Sequence, residues 1–329
     1  MDRKAIPGLR MLKACAAAFV FSLGCAANHS MAQDFPSRPI RLLVGFPPGG
    51  NADVGARIVA QKMSDGLGRQ VLVENRAGAG GVVANSTVAK SPPDGYTLLL
   101  VIGGFVTQAA TMKKLPYDSI RDFSPISLLM TYPIVIAVSA DSQYRTLADL
   151  IGYAKSNPSK LNYGAPIGTL YHLVAEMFNS MAGVELTFVP YRGGAEPLAE
   201  VIAGRMNVAF EAITTASPQI QGGRLRALAV TSAQPSPSLP GVATATQTLP
   251  GFETISFLAI SAPPGVPRPI VNRLNAEVRR VLALPDVAQR FAEWGGQTAP
   301  TSPEEMQRFM EAEIAKWTRV VQQRNIVLD

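Results

Sequence analysis

Two loops in this sequence of 329 residues carry residue types that bind anions. The first loop, residues 44–53, contains two prolines and two glycines and is predicted to join a strand to a helix that Asp53 can cap. Free N–H groups at a helix start attract an anion through hydrogen bonds and the positive end of the helix dipole. The loop therefore predicts an anion site; the competing interpretation is a capped tight turn without a ligand. The predicted ligand-binding residues here are Phe46, Pro47, Gly50, Asn51, Ala52 and Asp53.

The second loop, residues 163–172, is predicted to stand at a matching strand-to-helix junction later in the chain. Thr169 is a favourable N-cap, and the amides that follow it point out of the helix start. Apolar residues at helical spacing after Thr169 predict a buried face of that helix. The predicted ligand-binding residues here are Ala165, Pro166, Ile167, Gly168, Thr169 and His172.

His172 is the only histidine after residue 32, and we expect it near the first turn of its helix rather than deep in the core. It could act as a general base, but a side chain that hydrogen-bonds nearby backbone or ligand is the favoured interpretation. One histidine without cysteine predicts no transition-metal site, and the sequence contains no His-Glu-x-x-His pattern. It also lacks the Gly-x-Ser-x-Gly elbow of a hydrolase.

Four further residues are predicted to lie at the site. Tyr191 and Arg192 follow one strand and Glu211 follows another, at the carboxyl ends where open α/β sheets place their ligand crevices. Arg192 could pair with a carboxylate in bidentate fashion, or it could be a solvated surface residue. We also include Thr107 among the predicted ligand-binding residues.

Nothing in the sequence predicts a cofactor. The glycine-rich turn at residues 78–81 does not match the dinucleotide fingerprint, because Val83 occupies the place of its last glycine. The chain also contains no Gly-Lys-Ser or Gly-Lys-Thr of a phosphate loop. We therefore expect no cofactor and no metal.

The elements that position these loops form an alternating pattern. Short β-rich runs alternate with helical patterns, which is typical of a mainly parallel sheet with crossover helices, and the pattern runs twice along the chain. We therefore predict an α/β protein of two lobes: residues 33–132 and 253–329 form a discontinuous first lobe, and residues 133–252 form the second. Residues 124–138 and 255–261 are the expected crossings between them. The first helix is predicted at residues 54–67.

The N-terminus has the character of a secretory signal peptide. Residues 1–32 combine four basic residues, a short apolar run and a small-x-small triplet that predicts cleavage near Ala32. The apolar run is shorter than the ~20 residues that a membrane-spanning helix needs. Lipid attachment at Cys25 is the less favoured alternative, because leucine lies one place from where a lipoprotein signal would have it. We therefore expect export to the periplasm.

The composition excludes several classes of function. Both cysteines precede residue 33, so thiol catalysis and disulfides are excluded from the mature chain. Removing the signal leaves 26 basic and 23 acidic residues, a net charge of +3 instead of +6. Because the basic balance is partly an export feature, it does not predict a nucleic-acid partner. A hydrophobic fraction of 47% predicts sizeable packed cores.

Taken in order, the loops and their neighbours resemble the periplasmic receptors of tripartite tricarboxylate transporters, the Bug or TctC family, over nearly all of the mature chain. Each motif is weak by itself, whereas the ordered set is specific. The motifs are Phe35-Pro36-Ser37-Arg38-Pro39-Ile40, Phe46-Pro47-Pro48-Gly49-Gly50 with Asp53, Val73-Glu74-Asn75-Arg76-Ala77-Gly78-Ala79-Gly80-Gly81, Pro93-Asp94-Gly95-Tyr96-Thr97-Leu98, Leu115-Pro116-Tyr117-Asp118, Val189-Pro190-Tyr191, Arg226-Ala227-Leu228-Ala229-Val230-Thr231 and Leu274-Asn275-Ala276-Glu277.

The resemblance implies a type II periplasmic-binding-protein fold, with two α/β lobes joined by a two-strand hinge. It implies a small carboxylate held by backbone amides and ordered waters of residues 47–53 and 166–172, hinge closure over it, and delivery by a monomer to a tripartite membrane transporter. A signalling receptor and a periplasmic hydrolase using His172 are the alternatives.

This chain departs from the family pattern at two places that bear on the far end of the ligand. Pro166 and Ile167 stand where small polar residues are usual, and Glu211-Ala212 replaces a frequent Asp-Asn pair. Ile167 and Tyr171 favour an apolar or aromatic acid.

Overall fold

The computed structural model describes residues 35–191 and 195–326. The predicted signal peptide, with Cys25 and the cleavage point at Ala32, and Arg192 lie outside the described residues. The strands are β1 (Ile40–Val44), β2 (Val71–Asn75), β3 (Thr97–Ile102), β4 (Ser124–Ser139), β5 (Asn162–Pro166), β6 (Thr187–Tyr191), β7 (Ala209–Ala212), β8 (Leu225–Val230), β9 (Ile255–Ala262) and β10 (Gln297–Thr298). The helices are α1 (Asn51–Leu67), α2 (Val82–Ala89), α3 (Gly103–Thr111), α4 (Leu147–Ser156), α5 (Leu170–Ala182), α6 (Ala195–Ile202), α7 (Ile213–Gln221), α8 (Arg268–Leu282), α9 (Pro285–Glu293) and α10 (Pro303–Gln323).

The strands form one large mixed sheet and one small parallel sheet. In the large sheet β1 lies between β2 and β3 in parallel, β9 pairs with β3 in antiparallel, and β4 pairs with β9. β7 and β8 extend the sheet by pairing with the second half of β4, while β5 and β6 pair separately in parallel. We call the part around β1–β3, β9 and β10 the first lobe and the part around β5–β8 the second lobe.

A single strand, β4, belongs to both lobes. Its residues up to Pro133 pair with β9, and its residues from Ile134 pair with β7 and β8. The sequence predicts a strand only at residues 134–138, because Pro125 and Pro133 interrupt the β pattern before it. Both prolines lie within the β4–β9 ladder, and the register shifts directly after Pro125. The numerical lobe boundaries stay a prediction.

Thr231 joins the two crossing segments. Its backbone N–H donates to the Ile134 carbonyl oxygen at 2.9 Å, and its hydroxyl accepts the Ile134 N–H at 2.9 Å. The same hydroxyl donates to the Thr254 carbonyl oxygen at 2.7 Å, and the Thr254 N–H returns a bond to the Thr231 carbonyl oxygen. Thr231 is fully buried, so these bonds hold β4 and the start of β9 together at the hinge.

Two hydrophobic cores lie on the opposite faces of the large sheet. Because side chains alternate along a strand, successive residues contribute to opposite cores. One core contains Leu43, Leu99, Ile136 and Trp317, and the other contains Leu42, Leu98, Val135 and Phe291. Both cores extend through both lobes, so the hinge is a continuous packed region.

Several helix predictions need correction. α1 begins at Asn51, three residues before the predicted start, because Gly50 is its N-cap. The helices α3 and α7 were not predicted: α3 begins with Gly103-Gly104, and α7 contains Pro218, and both residue types are typical of helix breaks. None of the helices in the described ranges is long and apolar enough to cross a membrane.

Candidate functional site

The first loop ends in a helix start whose amides are unused. Gly50 is the N-cap of α1 in an extended conformation, and the first intrahelical bond runs from the Val54 N–H to the Gly50 carbonyl oxygen. The amides of Asn51, Ala52 and Asp53 precede that bond and have no acceptor within the helix. They can donate to an anion at the exposed Gly50 turn.

Asp53 does not cap the helix as predicted. It lies in the first turn, only 3% exposed, and its carboxylate accepts the Gly49 N–H and the Asn75 side-chain N–H, both at 2.9 Å. The Arg57 guanidinium, whose Nη2 lies 2.9 Å away, holds the pKa of Asp53 at about 2. Asp53 therefore stabilises the conformation of the first loop through its own hydrogen bonds.

Close backbone packing supports the same loop. The Asn75 amide donates to the Phe46 carbonyl oxygen at 3.0 Å. A Cβ on Gly45 would lie 2.7 Å from the Gly81 Cα, so only glycine allows the first loop to pack on the turn at residues 79–81. Phe46 is half-buried, whereas Pro47 is exposed at the edge of the loop.

The second loop also leaves its helix start open. Thr169 is the N-cap of α5 as predicted, but its hydroxyl donates to the Pro166 carbonyl oxygen at 2.7 Å and caps no amide. Gly168 has φ +72°, a conformation that favours glycine, and Ile167 is 55% exposed. The first amides of α5 are therefore available, beside an exposed apolar side chain.

His172 lies in the first turn of α5, as predicted, but it is buried, contrary to the expectation that it stays out of the core. Its side chain is 4% exposed and stacks on Phe188 with 4.1 Å between ring centroids. Nδ1 accepts the Gly168 N–H at 3.1 Å, and burial lowers the pKa of the imidazole below its usual 6.5. The neutral ring thus stabilises the second loop by accepting the Gly168 N–H, which agrees with the prediction that His172 hydrogen-bonds nearby backbone.

Strand pairing places Ala165 and Tyr191 beside the second loop. Pro166 pairs with Tyr191 across β5 and β6, and Ala165 is buried in β5. A Cβ on Gly164 would lie 2.7 Å from the Tyr191 ring, so the glycine makes room for that ring. Tyr191 is half-buried at the end of β6, immediately before the segment of Arg192 that lies outside the described residues.

The junction of β7 and α7 brings the two loops together. The Asn51 side-chain amide of the first loop donates to the Thr214 hydroxyl of α7 at 2.6 Å. Tyr171, in the first turn after the second loop, hydrogen-bonds with Glu211 at the end of β7. Both loops therefore contact one four-residue stretch, and the Asn51–Thr214 bond joins the first lobe to the second.

Glu211 is a buried carboxyl group at this junction. It is 8% exposed, and Oε1 accepts the Ala212 N–H at 2.9 Å and the Thr215 hydroxyl at 3.2 Å. Burial raises the pKa of Glu211 to about 7, against the lowering effect of these bonds. Tyr132 and Ser256, at the crossing between the lobes, form a hydrogen bond nearby. Burial, with a smaller contribution from Glu211, raises the pKa of Tyr132 to about 12.

Tyr132, Ser256 and Thr215 were not predicted as members of the site, because no glycine-rich turn or other loop signal accompanies them in the sequence. Thr107 lies in α3, fully buried, with its hydroxyl donated to the Gly104 carbonyl oxygen at 3.2 Å. The Thr107 hydroxyl hydrogen is therefore used within α3, and contact of Thr107 with the ligand stays a prediction.

A cavity of about 250 Å³ lies beside the hinge, lined by residues of β4, of the loop after β8 and of the segment before β10, and neither the first nor the second loop contributes to it. Within residues 35–191 and 195–326, no group of three or more His, Cys, Asp or Glu residues could hold a metal ion.

Comparisons with known proteins agree with this arrangement. The family model described as tripartite tricarboxylate transporter family receptor matches residues 55–326. A protein from the tcbD–tcbE intergenic region of Pseudomonas sp. (strain P51) is 41% identical over 290 residues, covering 87% of this chain and 86% of that protein.

Two solved structures share the fold over most of their length. Rpa4515 of R. palustris with adipate has a TM-score of 0.82 and 36% identity, covering 89% of this chain and 99% of that chain. MatC from Rhodopseudomonas palustris with bound malate has a TM-score of 0.77 and 31% identity, covering 87% of this chain and 100% of that chain. These matches confirm the predicted two-lobed periplasmic-binding-protein fold. This chain therefore belongs to the family of tripartite tricarboxylate transporter receptors.

Proposed function

We propose that this protein is a periplasmic solute-binding protein that holds a small carboxylate between its lobes and delivers it to a tripartite tricarboxylate-type membrane transporter. The observation that carries the proposal is the pair of helix starts with unused amides, one in each lobe, that meet at the β7–α7 junction. Each helix start supplies N–H donors and a positive dipole end, which suit a carboxylate.

The relatives support the ligand class. Two solved family members hold adipate and malate, both small carboxylates. The exposed Ile167 and the Tyr171 ring add apolar surface beside the second helix start, so the far end of the acid is expected to be partly apolar. The carboxylate is expected to contact the amides of Asn51 to Asp53 and those that follow Thr169.

A hydrolase on this fold has weaker support. His172 is the histidine such a mechanism would use, yet it is buried and its Nδ1 already accepts a loop amide. A general base must reach the proton it removes, and this ring faces Phe188 and Tyr163 instead. A receptor that serves a sensor protein instead of a transporter would use the same ligand site.

The first experiment tests the ligand and the location together. The full chain is expressed in a Gram-negative host, and the processed protein is recovered from the periplasmic fraction and weighed by mass spectrometry. We expect a mass that begins after Ala32, with no lipid at Cys25. Thermal-shift assays with mono-, di- and tricarboxylates should then raise Tm by about 5 °C at a ligand concentration of 100 Kd. A sugar or a cation that raises Tm while every carboxylate fails would refute the proposal.

Closure is tested by the bond between the lobes. Asn51→Ala and Thr214→Val each remove the Asn51–Thr214 hydrogen bond, and each should weaken binding of the selected acid about fivefold, since a net hydrogen bond contributes about 1 kcal/mol. The double variant should bind no more weakly than the stronger single variant. Additive losses, measured by titration calorimetry, would mean that the bond does not contribute to closure.

A further inference from the structure

The buried carboxyl group of Glu211 lies near the contacts between the lobes. Glu211 and its partner Tyr171 sit between two interlobe contacts. On one side, Thr214, three residues after Glu211, accepts the hydrogen bond from Asn51 of the first lobe. On the other side Leu170 packs so closely on Gly103 of the first lobe that a Cβ on that glycine would lie 2.9 Å from Leu170.

These two contacts make the burial of Glu211 depend on closure. The residues that bond to Glu211 all belong to the second lobe: the Ala212 amide, the Thr215 hydroxyl and Tyr171. The first lobe contacts the second at Thr214, three residues after Glu211, and at Leu170, which precedes Tyr171. We expect that opening the hinge separates these contacts and admits water to the carboxyl group.

No positive charge compensates this carboxyl group within the described residues. The titratable side chains that face it are Tyr171 of α5 and Tyr132 of β4, and neither is a cation. On the first-lobe side, Asp53 already pairs with Arg57, and on α5 His172 is neutral and bonded to Gly168. In the closed form the pKa of Glu211 is about 7, because burial disfavours its charge.

We propose that Glu211 couples closure of the cleft to uptake of a proton: the carboxyl group is ionised when the lobes are open and takes up a proton from water when they close. Its neutral form then remains buried beside Tyr171 at the floor of the ligand site. Acidic conditions favour the closed form, and a ligand that requires closure binds more tightly as the pH falls. Only the ligand-binding part of this inference rests on the proposed function.

The size of the effect follows from the two pKa values. Opened to water, a glutamate has a pKa of about 4.3, compared with about 7 in the closed form. Since the raised pKa favours the closed form at low pH, the stabilisation is lost as the pH rises through 7. Linkage between the two states predicts that affinity falls about tenfold between pH 6 and pH 8. A monocarboxylate stays ionised across this range and adds no slope, so the measurement uses a monocarboxylate, or subtracts the known titration of a di- or tricarboxylate.

The test compares wild type with Glu211→Gln, which cannot ionise, and with Glu185→Gln, an exposed glutamate of the same lobe. Titration calorimetry with the acid selected by thermal shift should give the tenfold fall for wild type and for Glu185→Gln. Glu211→Gln should vary by less than twofold. Glu211→Asp retains a titrating group and should retain a slope, so it tests the inference if the glutamine variant does not fold.

A second measurement needs no ligand. The pair Gln61→Cys and Lys155→Cys places fluorescent labels on exposed helix positions of the two lobes, and both native cysteines precede residue 33. Energy transfer in wild type should report a larger closed fraction at pH 6 than at pH 8, and the change should vanish with Glu211→Gln. A closed fraction independent of pH, or an equal slope in Glu211→Gln, overturns the inference. If this pH response appears but no carboxylate binds, only the proposed ligand is wrong.

Discussion

Replacing Asp53 by asparagine removes the negative charge that stabilises the first loop, while the side chain keeps nearly the same shape. The amide oxygen of asparagine can still accept the Gly49 N–H, whereas the bond from the Asn75 amide and the attraction to Arg57 are lost. We expect Asp53→Asn to destabilise the fold and to loosen the helix start that the ligand contacts.

The magnitude follows from the pKa of Asp53, which the Arg57 hydrogen bond lowers from 3.8 to about 2. Each pKa unit corresponds to about 1.4 kcal/mol, which gives an upper value of about 2.4 kcal/mol. The Arg57 side chain is 53% exposed, so solvent screens part of this attraction. We therefore expect the free energy of unfolding to fall by about 2 kcal/mol at pH 7.

The pH dependence separates this cause from a packing defect. A lowered pKa stabilises the fold fully above the unfolded value of about 3.8, and this stabilisation is lost as the pH falls through 2. The difference between wild type and Asp53→Asn should therefore shrink by about 1 kcal/mol between pH 7 and pH 3. Urea unfolding followed by the fluorescence of Trp294 and Trp317 measures it.

Asp65→Asn on the exposed side of the same helix is the matched control, with an expected change below about 0.5 kcal/mol. A difference for Asp53→Asn that stays constant from pH 7 to pH 3, or that is absent at pH 7, would refute the electrostatic reasoning.

Two further predictions concern buried polar groups. Because burial lowers the pKa of His172, the unfolded chain binds a proton that the folded chain does not, so the free energy of unfolding falls as the pH drops below about 6.5. His172→Gln should remove this part of the pH profile in urea unfolding. An unchanged profile in this variant would contradict the prediction. Arg324→Ala should lower the free energy of unfolding by about 2 kcal/mol, because it leaves Glu176, whose Oε2 lies 2.6 Å from the Arg324 Nε, buried without its cation. Adding Glu176→Gln should recover part of that loss, and a further loss in the double variant would argue against an ion pair.

Local chemistry made much of the fold predictable. Strand and helix positions follow from alternation and helical spacing, which depend on neighbours a few residues apart. Gly68 ends α1 in a left-handed conformation that favours glycine, which agrees with the predicted helix end at residue 67. The helices α3 and α7 were missed since tertiary packing outweighs the low helix propensity of Gly103 and Pro218.

The sequence by itself determined the two loops, their order and the family to which they belong, because glycine, proline and capping residues act through their own backbone. Only the tertiary structure decided what surrounds each side chain. Asn51 and Thr214 are 163 residues apart in sequence, yet they form the bond between the lobes. The burial of His172 and the raised pKa of Glu211 likewise depend on elements that pack from elsewhere in the chain. Desolvation is a property of the assembled environment, so no local pattern specifies it.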